Sequence, residues 1–502
     1  MKKVLCATYE GLDAKVIDVE STLTKGLPSF TIIGANSAIE KSREKIKSAL
    51  LCSEYKFPPK RISVLLAPSD LSKNGSQFDL AIALLIALNE SKAEFKEWFV
   101  FGELGLDGSV KESNQIYPLI LSLANQSLIK KVIVPFEALE KLSKIPNVSF
   151  YGVKSLKEAV EILKNQDNAE PSVIQGGIEA PFYELGDKKY YYIKEYDEDF
   201  LDVKGQEIAK RAALISATGF HNIIFEGSPG CGKSMIASRL RYILPAMSSD
   251  EILDKAKIEA LEDREVEFKP RRANVVTHCS ATPASVLGGG SGVKAKIGDV
   301  SLANNGLLFF DELPHFSKSI LEALREPMQD NQIRISRVSQ KHTYPANFLF
   351  VGAMNPCGCG NLLNEAKECR CNELEIQKYK SRLSDPFLDR IDLNVVMQNV
   401  SIKDSATYSS KELHKMVLEA NIFAFSRGQS SFNGKMSDNE IEKFCILEDD
   451  AKDVLDMATT RFTLSFRSIK KVQKVARTIA DLGKSKTIKK EHLLEALSYR
   501  RR

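Results

Sequence analysis

Residues 227–234 read Gly-Ser-Pro-Gly-Cys-Gly-Lys-Ser, directly after the apolar run Ile223-Ile224-Phe225. The run predicts a buried strand, and Met235 to Leu240 onward predicts a helix. A strand, a glycine-rich turn and a helix in this order aim several backbone N–H groups and a helix N-terminus at one point. That is a nest for phosphate. In it Gly227, Ser228, Pro229, Gly230, Cys231 and Gly232 wrap the phosphates, Lys233 reaches the β- and γ-phosphates, and the Ser234 hydroxyl ligates Mg²⁺. Such a loop needs an α/β sheet to carry it, and it calls for ATP.

A second apolar run, Gly306-Leu307-Leu308-Phe309-Phe310, suits a central parallel strand and ends in Asp311-Glu312. Beside a phosphate loop, Asp311 can hold Mg²⁺ and Glu312 can polarise an attacking water. Capping of the next helix is the other use of two adjacent acids, and the intact loop upstream favours catalysis. Phe348 to Met354 predicts another buried strand, after which Asn355 can position the water; turn capping before Pro356 is its plainer role. Arg390, in Leu388-Asp389-Arg390-Ile391-Asp392, sits between a helix and a strand and suits an arginine finger on a neighbouring subunit. Arg467 opens a long helix and suits a second sensor arginine. Each arginine alone would serve equally as a salt-bridge partner.

At 502 residues the chain exceeds one ordinary domain, and about two to four are expected. A formal charge of +4 is only mildly basic, so any nucleic-acid surface is local. The longest apolar stretch, around Leu80 to Leu88, is far too short for a membrane span, and Met1-Lys2-Lys3-Val4-Leu5-Cys6 lacks a signal core. Nine cysteines, an odd number, argue against a secreted disulfide scaffold. The expectation is a cytoplasmic protein without a membrane segment.

Residues 1–163 mix strand-like runs (Thr31–Ile33, Ile62–Leu66, Lys131–Val134) with helical ones (Ala38–Leu51, Leu80–Leu88). Residues 164–199 are polar and Tyr-rich and read as a linker. Residues 200–400 alternate strand and helix, which predicts a doubly wound parallel-sheet core. Residues 401–502 read as amphipathic helices, clearest over Ile469–Leu482 and Lys489–Leu497.

These motifs, in this order, resemble an AAA+ ATPase of the magnesium-chelatase-like branch, and most of all the ComM/YifB family. The markers span nearly the whole chain: Asp202-Val203-Lys204-Gly205-Gln206, the phosphate loop, Leu287-Gly288-Gly289-Gly290-Ser291, and Phe310-Asp311-Glu312-Leu313-Pro314. Met354-Asn355-Pro356-Cys357-Gly358-Cys359-Gly360 and Ala476-Arg477-Thr478-Ile479-Ala480-Asp481-Leu482 complete the set. The resemblance implies a Lon-protease-like α+β N-terminal domain, an AAA+ core and a helical lid, with Val203, Gly205 and Gln206 flanking adenine. The N-terminal domain is expected to lack peptidase activity. Aligned on Lys73 and Gly75, the nucleophile position of Lon falls on Gln77 rather than Ser76, and the lysine position falls on or near Tyr117. A Ser–Lys dyad needs a hydroxyl and a neutral amine in reach. Recruitment of Ser76 is the remaining route to such chemistry.

Cys357, Cys359, Cys369 and Cys371 form two Cys-x-Cys pairs, able to supply a Cys₄ zinc site. The usual spacing is wider, and four reduced thiols are the other reading; the resemblance, which includes these pairs, favours zinc. Two basic elements are candidates for the load. Residues 331–345 predict a hairpin with Arg334 on the rising strand and Arg337, Lys341 and His342 at its tip; in helicases of this branch such a hairpin enters a central pore. Residues 282–297 form a Gly-rich stretch with Lys294 and Lys296. The resemblance thus implies a ring-forming, hexameric DNA motor, a helicase promoting branch migration of recombination intermediates as in natural transformation. Its partners would be single-stranded or branched DNA and further copies of the chain. A protein-remodelling chaperone or a chelatase-type motor subunit is the alternative.

Overall fold

Seven strands form the sheet of the N-terminal unit, and they do not pair in chain order. The computed structural model describes residues 2–10, 13–73, 75–91, 93–172, 177–289, 296–336, 341–364, 367–399 and 404–500. It divides into two compact units, Met1–Glu179 with Ala256–Phe268, and Ala180–Lys255 with Lys269–Arg502. In the first, the sheet runs Ser29–Ile33, Arg61–Ala67, Asp13–Thr24, Lys2–Glu10, Trp98–Val100, Lys131–Pro135 and Ser149–Val153. Lys2–Glu10 and Asp13–Thr24 pair antiparallel along their length, whereas Lys2–Glu10 and the three strands after it are mutually parallel. The helix Asp79–Ala87 is apolar on every side beyond Asp79 and is buried throughout Asp79–Ile86. A helix without a polar face belongs inside a domain, as this one does.

The second unit is built on a five-stranded sheet ordered Asn274–Thr277, Leu307–Phe310, Leu349–Met354, Ile223–Gly227 and Leu393–Met397. Every pairing in it is parallel. Leu307–Phe310 and Leu349–Met354 are buried at every position, the pattern of strands covered on both faces. Parallel pairing brings the carboxyl ends of the strands to one edge, where Gly227, Phe310 and Met354 each release the chain into a loop.

The Tyr-rich part of residues 164–199 forms a hairpin, Phe182–Leu185 with Lys188–Tyr191, to which Met247–Ser248 adds a third strand. Alternating tyrosines drive it: Tyr183 stacks on Tyr190 across the hairpin with ring centroids 5.6 Å apart, and Tyr190 stacks on Phe425. Five helices, Ser410–Ser426, Asp438–Phe444, Asp449–Phe462, Phe466–Leu482 and Lys490–Ser498, make up the C-terminal region. Val472, Val475, Ala476 and Ile479 share one apolar cluster with Ala212 and Ala213 of the helix Glu207–Gly219 and with the sheet. Among the described residues no helix is long and apolar enough to cross a membrane.

One buried charge network ties this helical region together. Arg477 is fully buried and pairs with Asp481 at 2.9 Å, one turn along its helix. Asp481 also receives Arg427 and the Asn433 amide, the latter at 2.8 Å. Removing the carboxylate leaves two guanidinium groups without their anion in a region of low dielectric. Asp481→Ala is expected to cost about 3–5 kcal/mol, read as a lower urea midpoint for the second unit. An unchanged midpoint would show that the network contributes no net stability.

Candidate nucleotide site

The phosphate-type loop begins where the inner strand Ile223–Gly227 ends. A side chain at Gly227 would meet the Cys231 Sγ at 2.6 Å and the Met397 carbonyl oxygen at 3.0 Å, so only glycine lets the turn close. Gly230 and Gly232 take the left-handed conformation, with φ of +82° and +95°, which turns the loop's N–H groups inward before the helix Lys233–Leu240 starts. The Lys233 ammonium donates to the carbonyl oxygens of Gly227 at 2.6 Å and Ser228 at 3.0 Å, and to Asn355 Oδ1 at 3.2 Å. Ser234 donates its hydroxyl to Asp311 Oδ2 at 3.0 Å. The hydroxyl and carboxylate expected to share a magnesium ion are therefore already adjacent, an arrangement suited to a hard cation that keeps several waters.

Glu312 occupies the left-handed region at φ +52°. That conformation is uncommon for a residue with a side chain and costs on the order of 1–3 kcal/mol. Its N–H is tied to Asp311 Oδ1 at 2.8 Å, and its side chain is exposed at the sheet edge rather than capping a helix. The turn thus separates the two acids, one toward Ser234 and one toward solvent.

Val203 is buried, and Gly205 and Gln206 both adopt positive φ. The Gln206 amide donates to the Cys231 carbonyl at 3.0 Å and to the Gln398 carbonyl. The segment expected to flank a base is thereby fastened to the phosphate loop on one side and to the end of the Leu393–Met397 strand on the other.

Arg390 and Arg467 form a separate group. Arg390 Nη2 and Arg467 Nη2 both donate to one oxygen, Gln329 Oε1, at 2.9 and 3.1 Å, and Arg390 Nη1 reaches the Pro386 carbonyl at 2.7 Å. Their hydrogen bonds do not run to the loop, Asp311 or Asn355. Burial, and then repulsion from Arg467 and Arg325, lowers the pKa of Arg390 below the usual guanidinium value. Two positive charges gathered on one neutral amide make a concentrated anion-attracting locus. Nothing in the sequence around Gln329 marks it, because its role comes from the meeting of three distant segments.

The predicted hairpin is present as Gln332–Ser336 paired with Lys341–Pro345. Arg334 is exposed on the rising strand. Lys341 and His342 belong to the returning strand, opposite Ser336 and Ile335, rather than to the tip. Arg337 and Lys294 lie outside the described residues. Lys296 is exposed and bridges to Gly289, and a side chain at Gly288 would meet Ile335 Cδ1 at 2.9 Å, so Gly288 packs against the hairpin.

In the N-terminal unit Lys73 is buried and donates to the carbonyl oxygens of Pro68 and Leu71, and Gln77 is buried. Ser76 donates to Glu103 Oε2 at 2.6 Å, and Lys45 bridges Glu103 at 3.0 Å and Asp79 at 2.7 Å. Burial opposes the charge on Lys45, but the two carboxylates outweigh it and raise its pKa. Lys45, which shares Glu103 with Ser76, is thus held as a cation, unlike the neutral amine of a Ser–Lys dyad.

A parallel sheet with a phosphate loop on an inner strand, an acid pair on the next but one and a helical region in the same core defines an AAA+ ATPase. Family models agree: residues 199–405 match "Magnesium chelatase, subunit ChlI", residues 19–138 match "Subunit ChlI of Mg-chelatase", and residues 407–500 match "Magnesium chelatase, subunit ChlI C-terminal". The chain is 34% identical to Competence protein ComM of Haemophilus influenzae over 502 residues, covering 98% of this chain and 95% of that one. It is 35% identical to the uncharacterized protein YifB of Salmonella typhimurium over 503 residues, with 98% and 95% covered. The chain belongs to the ComM/YifB family of magnesium-chelatase-like AAA+ ATPases.

Gln329→Ala is expected to leave nucleotide binding intact and lower the turnover rate about 10- to 100-fold, the effect of misplaced positioning groups. Steady-state ATPase assays across protein concentration read this directly. Turnover equal to wild type would remove any role for the shared amide.

Proposed function

We propose that this chain is an ATP-driven motor of the cytoplasm that works as a ring, a hexamer by analogy with its class, and moves DNA, promoting branch migration of recombination intermediates. The observation that carries this reading is the division of the site. One sheet edge gathers Lys233, Ser234, Asp311 and Asn355, while Arg390 and Arg467 are held together elsewhere on Gln329. A site divided in this way is completed by a second copy, as arginine fingers complete other nucleotide sites.

In this reading the loop residues 227–234 cradle the phosphates, with Val203, Gly205 and Gln206 around the base. Ser234 and Asp311 hold Mg²⁺, whose chemistry is to neutralise charge on the phosphates. Lys233 binds the β- and γ-phosphates, Glu312 takes a proton from the attacking water, Asn355 orients that water, and Arg390 and Arg467 of a neighbour stabilise the charge developing on the transferred group. Cys357, Cys359, Cys369 and Cys371 hold Zn²⁺. The hairpin cations Arg334, Arg337, Lys341 and His342, with Lys294 and Lys296, meet the DNA backbone. The similarity to a competence protein supports a DNA load, since competence concerns the uptake of DNA.

Glu312→Gln is expected to keep ATP binding and reduce turnover by about 10²- to 10⁴-fold, the usual contribution of a general base; retained turnover would remove that role. Arg337→Ala with Lys341→Ala should abolish stimulation of the ATPase by DNA while basal hydrolysis persists. Rates measured with single strands, duplex and four-way junctions across a salt series test the load, because phosphate contacts weaken steeply with salt. No stimulation by any DNA at low salt would turn the reading toward a protein substrate.

A further inference from the structure

The loop after Asn355 gathers its four cysteines into one knot. Their Sγ atoms all lie within 4.8 Å of one another, with Cys357–Cys359 at 3.4 Å, Cys357–Cys369 at 3.7 Å and Cys359–Cys369 at 3.6 Å, and no disulfide joins them. Zinc bound to four thiolates at about 2.3 Å spaces its sulfurs about 3.8 Å apart in a tetrahedron. The donor set is soft and all-sulfur, and it fits this ion.

The knot is also fastened to the nucleotide site at three points. On its entering side Cys357 is fully buried, two residues beyond Asn355, whose Oδ1 receives Lys233. In the middle Gly360 has φ +79°, and a side chain there would meet Pro229 Cδ and Cγ of the phosphate loop, each at 2.8 Å. On its leaving side Cys371 runs straight into the helix Glu373–Lys380. Tyr379 of that helix is hydrogen-bonded by the backbone of Asn355, and Lys380 pairs with Glu226 of the strand Ile223–Gly227 at 3.1 Å. A metal held by the four cysteines would cross-link the segments that make these contacts.

We propose that Cys357, Cys359, Cys369 and Cys371 bind one zinc ion as a splint that locks Asn355 against the phosphate loop, so that metal occupancy governs nucleotide affinity and turnover although no cysteine touches nucleotide. The proposal rests on the nucleotide reading of residues 227–234 and Asn355. Gly360 is then a positioning residue, since its bare backbone is what lets the knot seat on Pro229.

Metal analysis of the full chain is expected to find about one zinc per chain, and cobalt reconstitution to give the absorption of a tetrahedral thiolate site. Cys359→Ser with Cys371→Ser should abolish both, and should weaken binding of a fluorescent ATP analogue and slow hydrolysis about 10- to 100-fold, as loss of supporting contacts does at other sites. Gly360→Ala covers the case in which the cysteine variant fails to fold: it should keep its zinc yet lose affinity and turnover. Gly358→Ala, where a side chain meets nothing within 4 Å, should change neither. Iron in place of zinc, paired disulfides, or a zinc-free chain that binds and hydrolyses ATP like the loaded one would overturn the splint. A zinc-loaded chain that binds no nucleotide at all would instead overturn the reading of residues 227–234, and the splint's role with it.

Discussion

Parallel pairing of Ile223–Gly227 with Leu349–Met354 on one side and Leu393–Met397 on the other is the constraint from which the site follows. Parallel strands must each return across a face of the sheet before pairing again, so their carboxyl ends gather at one edge. The register places Glu226 beside Met354 and Gly227 beside Met397. The loop after Gly227 and the residue after Met354 therefore start from neighbouring positions, which is why Lys233 meets Asn355. Leu307–Phe310 lies one strand further out and delivers Asp311 to Ser234 by the same logic. An antiparallel partner at any of these pairings would send one of these groups to the opposite edge.

Those parts of the molecule whose chemistry is contiguous in the chain are plain in the sequence. The phosphate loop, Asp311-Glu312 and the buried runs that precede them are each short strings in which local composition and local structure agree. The tyrosine-rich hairpin was hidden because its polar lysines and acids read as linker, while the decisive contacts are rings stacking across strands and onto Phe425. Gln329 was invisible for a stronger reason. A glutamine at the end of a short helix has no local signature, and its importance comes from Arg390 and Arg467, which lie 61 and 138 residues away. Lys341 and His342 lie on the returning strand rather than at the tip, since hairpin register depends on turn geometry that composition does not encode.

The two units use buried charge differently. In the helical region Arg477, Arg427 and Asp481 form a closed set with Asn433, satisfied on all sides by groups of the same region. Near Ser76 the set is partly open: Glu103 retains exposed surface and accepts both a hydroxyl and an ammonium. The first arrangement specifies how helices pack. The second ties a buried carboxylate, Asp79, to a half-exposed one, Glu103, through the single ammonium of Lys45.

The shared oxygen of Gln329 has a mechanical consequence. Arg467 stands at the start of the helix Phe466–Leu482, Arg390 stands between the helix Asp385–Leu388 and the sheet, and Gln329 ends a third helix. While both guanidinium groups grip the same atom, neither can be displaced without loading the other. A shift of the helical region relative to the sheet is thus felt at Arg390 at once, with no intervening chain to absorb it. The amide is a joint of a single atom between the helical region and the sheet, and the two arginines share their setting through it.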